Sequence, residues 1–461
     1  MFDTILLAVG AFVLIAGLLS EWLEKRGLPP SVLALLAGII LGPAVLGIFD
    51  PNATGHRAHL LEVTTRLSLG IGITSLILFL PKKFPRKCWG QMLILVAGGT
   101  LLMWAVSTAL VHSILGVPLY VAAVMGAALA PTDPVAARPI VEGTPAGKHL
   151  PHRLRHALAL ESSSNDAAGY IVVFLPFLLL TLPAGAAVSH FFVHTLLWEV
   201  VAAALLGVGF GYACGHLLHV AERRHMIKHE YRLVYTAAMT LVSLGGGRLL
   251  QMSELIVAVA AALTFAQIVA STDRKDEEHG QEAANRFLSV PIFGLVGTAL
   301  PFSGWHELGW RGALLAVAIL LFRRIPAMFL LCRFLPMLQR PADALFIGWF
   351  GPIGVATVYY GALMEQRLGM PQIWDVVSLI ICVSVVVHGL SATPLTRLYG
   401  RVTGQSRLNA EKLEQRKQRQ QQQEDELLAA RCDTRAREDE NASAREGGQR
   451  ARSTAAAGAA S

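Results

Sequence analysis

Apolar and polar positions alternate in long blocks along this chain, not with the short period of an amphipathic soluble fold. Runs of mainly apolar residues, each about the 20 needed for a helix to cross a bilayer, fall near 3–23, 30–48, 62–81, 89–113, 117–138, 154–182, 189–219, 231–247, 252–270, 285–303, 309–332, 343–364 and 372–395. The polar residues gather between them. The pattern predicts an all-α polytopic membrane protein with thirteen transmembrane helices over residues 1–400. From about Gly404 the pattern flips. Leu408 to Ala430 is rich in Gln, Glu, Lys and Arg and predicts a surface helix, followed by an Ala-, Arg-, Ser- and Gly-rich end with the composition of disorder. Residues 401–461 are therefore expected to be a tail outside the membrane.

Composition agrees with this division. The 461 residues are 54% hydrophobic and only 15% charged, with mean hydropathy +0.51; a soluble chain carries about 25% charge. Five scattered cysteines (88, 214, 332, 382 and 432) exclude a disulfide-stapled scaffold and read as apolar filler. The loops taken alternately hold 19 Lys and Arg on one side against 5 on the other, and the basic side is expected to be cytoplasmic. Thirteen crossings then put the N-terminus outside and the tail inside the cell (inner) membrane. Asp3 is the only early charge, so the first stretch is expected to be a span, not a cleaved leader. The net charge of +7 is spread out: 13 basic and 10 acidic residues from Arg397 onward, 26 and 22 before it. That predicts contact with anionic lipid and no nucleic-acid partner. A GxxxxGK[ST] loop is missing, so nucleotide hydrolysis is not indicated, and no cofactor is expected.

Ionisable groups inside apolar stretches cost at least about 2.5–3.5 kcal/mol each on insertion scales, so the few present need reasons. The fifth stretch reads Ala130-Pro131-Thr132-Asp133-Pro134 and the twelfth Gly351-Pro352-Ile353-Gly354. Prolines remove backbone donors, and unwound backbone is tolerated at membrane depth only against protein or a water-filled cavity. Proline-broken spans seven apart run in opposite directions, the pointer to a transport site built from inverted repeats. At the first break, the Thr132 carbonyl and hydroxyl and the Asp133 carboxylate are hard oxygen ligands suited to alkali cations; a plain proline kink with Asp133 at the cytoplasmic interface is the competing reading.

The sixth stretch carries Glu161-Ser162-Ser163-Ser164-Asn165-Asp166. Residues four apart share a helix face, so Ser162 lies under Asp166 as a partial oxygen cage, and Glu161 under Asn165. A carboxylate at this depth can hold a proton near neutral pH and exchange it for a cation. Asn165 is expected to hold the broken backbones without adding charge. The competing reading is a helix start capped by serines. Glu161 is expected to pair with Arg323 or Arg324 of the eleventh stretch, with Arg324 favoured and the other arginine free to reach headgroups. His388 is either a packing histidine bonded to a carbonyl or a pH-responsive group.

Glu-Ser-x-x-Asn-Asp at 161–166 together with Pro-Thr-Asp-Pro-Val-Ala at 131–136 resembles the monovalent cation:proton antiporter-1 family, the NhaP/NHE type of sodium/proton exchangers. The segments Gly348–Gly354 and Val387–Pro394 also look like bacterial members. The resemblance covers residues of about 1–400. It implies a homodimer of thirteen-helix protomers with an inverted-repeat antiporter fold, two crossed unwound helices and an elevator-like motion. Asp166 would carry Na+ (or Li+ or K+) and H+ by turns. Ser162, Asp133 and Thr132 would help coordinate the cation, Asn165 would steady the crossing, and Glu161 would pair with the arginine. Members with Asn-Asp are generally electroneutral. Two departures stand out: Pro352-Ile353 stands where many relatives have an arginine, and only Glu62 is available where some have an acid inside the third helix. Three other readings compete: K+/H+ exchange or a cation leak on the same fold, an intramembrane aspartyl enzyme using Asp133 and Asp166, and a non-transporting sensor or scaffold using the tail. The enzyme's Gly-x-Gly-Asp context is absent.

Overall fold

The computed structural model describes residues 2–26, 28–51, 55, 57–80, 88–133, 140–141, 144–228, 231–269, 291–338 and 340–409. By contact the chain divides into Met1–Thr403 and Gly404–Ser461. No strand occurs among the described residues. In the second unit, residues 405–409 form a helical turn closed by a Gln405–Asn409 side-chain bond of 2.9 Å. The expected surface helix beyond Asn409 lies outside the described residues, as do Pro134 and the basic loop residues near 82–87 and 274–286.

In the first unit each apolar stretch contains helix among the described residues. Six helices among the described residues are long and apolar enough to cross a membrane: Arg57–Leu78, Trp89–Leu115, His152–Thr181, Ala184–Arg223, Phe302–Phe334 and Pro371–Val402. Shorter apolar helices span Pro30–Leu41, Leu119–Ala128 and Glu254–Ile268. Phe2–Leu18, Tyr231–Leu249, and residues 291–298 are also helical.

Three stretches depart from simple spans, each through proline or glycine. The fifth stops at Ala128, and residues 129–133 leave the helix around Pro131. The twelfth is two helices, Pro341–Trp349 and Val355–Leu368, with unwound Phe350–Gly354 between them. The eleventh begins earlier than the pattern predicts, at Phe302, bends at Gly309 (φ 52°), and breaks at Arg323–Arg324 before Ile325–Leu331. Pro326 has no N–H for the Phe322 carbonyl, so the helix cannot run straight through the arginines. By contrast, Pro176 leaves His152–Thr181 continuous.

The broken segments are inside. A large apolar core joins Leu119–Ala128, Val355–Leu368, Arg57–Phe79, Glu254–Ile268 and the middle of Pro371–Val402. A second, around Leu154–Leu160, Met328 and Ile347, holds Ile325–Leu331 against Pro341–Trp349. Ala184–Arg223 is the opposite case: only 22% of its apolar window is buried, and it exposes Phe192, Leu197, Leu205 and Tyr212. One face packs closely on Glu254–Ile268, where a Cβ on Gly211 would strike the Ala261 carbonyl, while Ala187 and Phe191 pack on Leu178. Small residues four apart, here Gly207 and Gly211, let helix backbones touch where no water drives them together. Gly211→Leu is therefore expected to destabilise the fold by about 1–3 kcal/mol, read as a lowered thermal midpoint in detergent; an unchanged midpoint would contradict the close contact.

Candidate ion site

The two breaks are tied to each other through main chain. Asp133 N donates to Pro352 O at 2.8 Å. Val355 N returns a bond to Asp133 Oδ2 at 3.1 Å, so this carboxylate caps the positive end of Val355–Leu368. The approach is so close that a Cβ at Gly354 would overlap the Asp133 carboxylate, and one at Gly351 would overlap Arg324 Cδ. Asp133 is fully buried within the protein, and it ties the first break to the second instead of marking a plain proline kink.

Arg323 supplies the opposite charge. Its Nη1 donates to the Leu129 carbonyl and, at 3.2 and 3.3 Å, to those of Ala130 and Pro131; its Nη2 donates to the Gly351 carbonyl. These are the carbonyls that the ends of Leu119–Ala128 and Pro341–Trp349 leave without helical partners. The expectation that the spare arginine reaches headgroups is thus corrected: Arg323 is 2% exposed and is consumed by unwound backbone. The twelfth-stretch motif carries no arginine of its own, yet a cation does sit at this break.

Arg324 is the one that meets Glu161, at 2.8 Å (Nη1–Oε1) and 3.1 Å (Nη2–Oε2). Both are buried, and Arg324 Nε also donates to Ile347 O at 2.8 Å. The bidentate geometry fixes the break at 323–324 against the middle of His152–Thr181.

That helix begins at His152, so the polar run at 161–166 lies well inside it and is not a serine-capped start. Glu161 also accepts from Asn165 Nδ2 at 3.1 Å and from the Thr132 hydroxyl at 3.4 Å. Asn165 accepts the Thr100 hydroxyl at 2.8 Å. Asn165 does not hold the broken backbones as expected; one turn beyond Glu161, its amide is spent on that carboxylate and on Trp89–Leu115. Thr132 Oγ1 also lies 3.4 Å from Ser162 Oγ. One turn on, Tyr360 OH donates to Asp166 O at 2.6 Å, and Gly169 presses on Pro131 so closely that a Cβ would lie 2.7 Å from its Cγ. The helix face bearing Ser162, Asp166 and Gly169 therefore packs on the first break and on Tyr360 of the helix that follows the second.

Asp166 itself is the exception to all this pairing. It is 0% exposed, and among the described residues neither carboxylate oxygen has a hydrogen-bond partner. Asp133 and Glu161 are within electrostatic reach, but their charges are already engaged by a helix end and an arginine. A bare enclosed carboxylate is costly. A proton or a dehydrated cation removes that cost, and both compete for the same two oxygens. Among the described residues no three His, Cys, Asp or Glu side chains gather as a resident metal site. Any cation here would share Asp166 with hydroxyl and carbonyl oxygens, a hard set suited to alkali ions.

A second cluster went unread in the sequence. Glu62 accepts from Arg248 at 2.8 Å, Arg248 lies 3.6 Å from Glu254, and Tyr359 OH donates to Glu254 at 2.9 Å. Arg57 pairs with Glu365. Tyr359, Glu254, Arg248, Glu199, His194 and Arg367 line a cavity of about 340 Å³. The sequence marks Glu62 at the end of its stretch and Glu199 near the predicted outer surface, but not the cluster, because Arg248, Glu254 and Tyr359 arrive from three other helices.

Residues 10–398 match the family described as "Sodium/hydrogen exchanger, transmembrane". The chain belongs to this family. Among its curated relatives, an exchanger of Zygosaccharomyces rouxii named Na(+)/H(+) antiporter 2 is 29% identical over 415 residues, 83% of this chain and 51% of that one. The Na(+)/H(+) antiporter of Saccharomyces cerevisiae is 27% identical over 421 residues, 84% of this chain and 43% of that one. The chain thus spans about half the length of these relatives. The fold is similar to that of the sodium proton antiporter MjNhaP1 from Methanocaldococcus jannaschii, with TM-score 0.66 and 18% identity over 84% of this chain and 99% of that one.

Proposed function

We propose that this exchanger-family chain is a secondary transporter, not an enzyme, that exchanges a monovalent cation, Na+ foremost, for H+. The observation that carries the reading is the Asp166 carboxylate, buried and without a hydrogen-bond partner among the described residues, on the helix face that packs on the unwound segment at Pro131–Thr132. One carboxylate holds a proton or a cation but not both well. An empty, charged site is expensive to move through an apolar barrier, so the moving part crosses only when loaded, and that difference couples the two fluxes. A single exchanging carboxylate flanked by the neutral Asn165 supports one-for-one, electroneutral exchange.

The same reading takes the chain to be a homodimer of thirteen-span protomers in the cell membrane, built from inverted repeats, with the N-terminus outside and residues 401–461 as a cytoplasmic tail. Transport proceeds by elevator-like alternating access, with Thr132, Asp133 and Ser162 lending oxygens to the cation beside Asp166. The gradients of the two ions drive the cycle, and no cofactor takes part. An aspartyl enzyme is disfavoured, since Asp133 is engaged in capping Val355–Leu368.

The test is proton flux in proteoliposomes on adding Na+, Li+ or K+ in turn. Flux with Na+ and Li+ and little with K+ is expected; flux with K+ alone would make the chain a K+/H+ exchanger, and none with any would sink the proposal. Ser162→Ala should raise the half-saturating cation concentration several-fold, the loss of one weak oxygen contact, with the maximal rate nearly kept. An unchanged half-saturation would remove Ser162 from the ligand set.

A further inference from the structure

Two segments singled out in the sequence, Gly348–Gly354 and Val387–Pro394, meet in the structure, yet the second gives no group to the Asp166 cluster. It belongs to Pro371–Val402, which runs behind the second break. Ser384 Oγ accepts the Ile353 N–H at 2.8 Å. His388 Nε2 lies 3.0 Å from Trp349 O, the carbonyl at the end of Pro341–Trp349. A carbonyl can only accept, so Nε2 carries the ring proton. In a neutral ring Nδ1 is then an acceptor, and it lies 3.0 Å from Ser384 Oγ. Nδ1 is also 3.0 Å from Ser384 O, the partner it would take if protonated. One unbroken relay follows: Ile353 N–H to Ser384 hydroxyl, that hydroxyl to the imidazole, and the imidazole to Trp349 O. Both side chains are buried, His388 at 4% exposure and Ser384 at 0%. The Trp349 indole adds a bond to Ser391 at 3.1 Å.

The relay grips the unwound stretch at both ends, residues 349 and 353. Between and beside them lie the groups that set the first break: Gly351 O receives Arg323, Pro352 O receives Asp133 N–H, and Val355 N–H holds the Asp133 carboxylate. We propose that His388 and Ser384 are positioning residues of the ion site, a neutral imidazole and a hydroxyl that clamp Phe350–Gly354 and thereby hold Asp133 and Thr132 in register with Asp166. The proposal rests on the exchange reading above. Arg323 and Arg324 already satisfy the neighbouring carbonyls of Gly351 and Ile347; Ile353 N–H relies on Ser384, and Trp349 O, which also accepts from Gly351 N at 2.9 Å, takes its bond from outside the loop from His388. Backbone groups left without partners at membrane depth are costly, and the loop would shift to find new ones.

The full chain is reconstituted in liposomes, and proton flux is read against cation concentration and pH. His388→Leu and Ser384→Ala are each expected to raise the half-saturating cation concentration about tenfold, the effect of one buried hydrogen bond lost. The double variant should be no worse than about either alone, since both break one relay. His388→Gln, whose amide can donate to Trp349 O and accept from Ser384, should restore half-saturation to within about twofold, with the pH profile of the wild type. Two results overturn the proposal: wild-type half-saturation in Ser384→Ala and His388→Leu, or a His388→Gln profile displaced along pH, which would make the ring a titrating group. Should His388→Leu fail to insert, Ser384→Ala and His388→Gln decide. Asp166→Asn is run alongside. Wild-type flux in that variant defeats the exchange reading itself, whereas an inert Asp166→Asn with an indifferent relay defeats only the positioning role.

Discussion

Asp166→Asn is expected to reduce cation-coupled proton flux to that of empty liposomes while the protein stays inserted and folded. The two halves of this outcome have separate causes. Loss of flux follows because the amide neither takes up a proton nor carries a negative charge for a cation. With no competition between the two ions on one group, nothing couples them. Survival of the fold follows because, among the described residues, the carboxylate oxygens have no hydrogen-bond partner to lose. The contact made by this residue's backbone, Tyr360 OH to Asp166 O, does not depend on the side chain. Replacing a bare buried charge by a neutral group of equal size removes a desolvation cost, so the thermal midpoint should stay level or rise. An inserted Asp166→Asn protein exchanging at the wild-type rate would move the ion chemistry to another group. A midpoint that collapses would mean that Asp166 holds the structure together, against its lack of partners.

The apolar blocks make the helices readable in the sequence, and proline chemistry makes two breaks readable there. Pro131 and Pro352 each sit where a helix ends, because a missing N–H acts locally whatever surrounds it. The polar run at 161–166 was legible for a similar reason: such residues inside an apolar helix are costly unless something meets them. What meets them was only partly visible. Glu161 called for a cation, and adjacent arginines gave two candidates. Their separate fates depend on the break at 323–324, which Pro326 causes but which a hydropathy pattern passes over. An amide that can donate and accept points Asn165 to the broken backbones. Its actual partners are Glu161 on its own helix and Thr100, 65 residues away. Ser384 gave no signal at all. A serine in an apolar helix ordinarily bonds its own backbone, and only the approach of Ile353 N–H distinguishes this one. Periodicity and residue chemistry thus reveal which groups need partners, while the partner is chosen by packing between distant segments.

The Glu161–Arg324 pair carries the second large expectation, and it concerns folding before transport. Arg324→Met leaves Glu161 buried with only the Asn165 amide and a long bond from Thr132. Breaking one side of a buried ion pair costs about 3–5 kcal/mol, a large part of the usual stability of a domain. Arg324→Met alone, and Glu161→Met alone, should therefore lower the thermal midpoint in detergent sharply and reduce the yield of monodisperse protein. The double Met variant should recover part of that loss, since two apolar side chains replace two charges that no longer need each other. Recovery should be incomplete, because Ile347 O loses the Arg324 Nε–H bond, worth about 1–3 kcal/mol when its carbonyl is left buried. The comparison separates two roles that the geometry combines. If the pair serves only to hold the break at 323–324 against His152–Thr181, the folded double variant should exchange ions at a reduced rate with near-normal cation affinity. If the charge of Glu161 also shapes the field at Asp166, affinity should change as well. A single Arg324→Met variant with the wild-type midpoint would show that Glu161 is not paid for by this arginine, and the assignment of the pair as the brace of the site would fail.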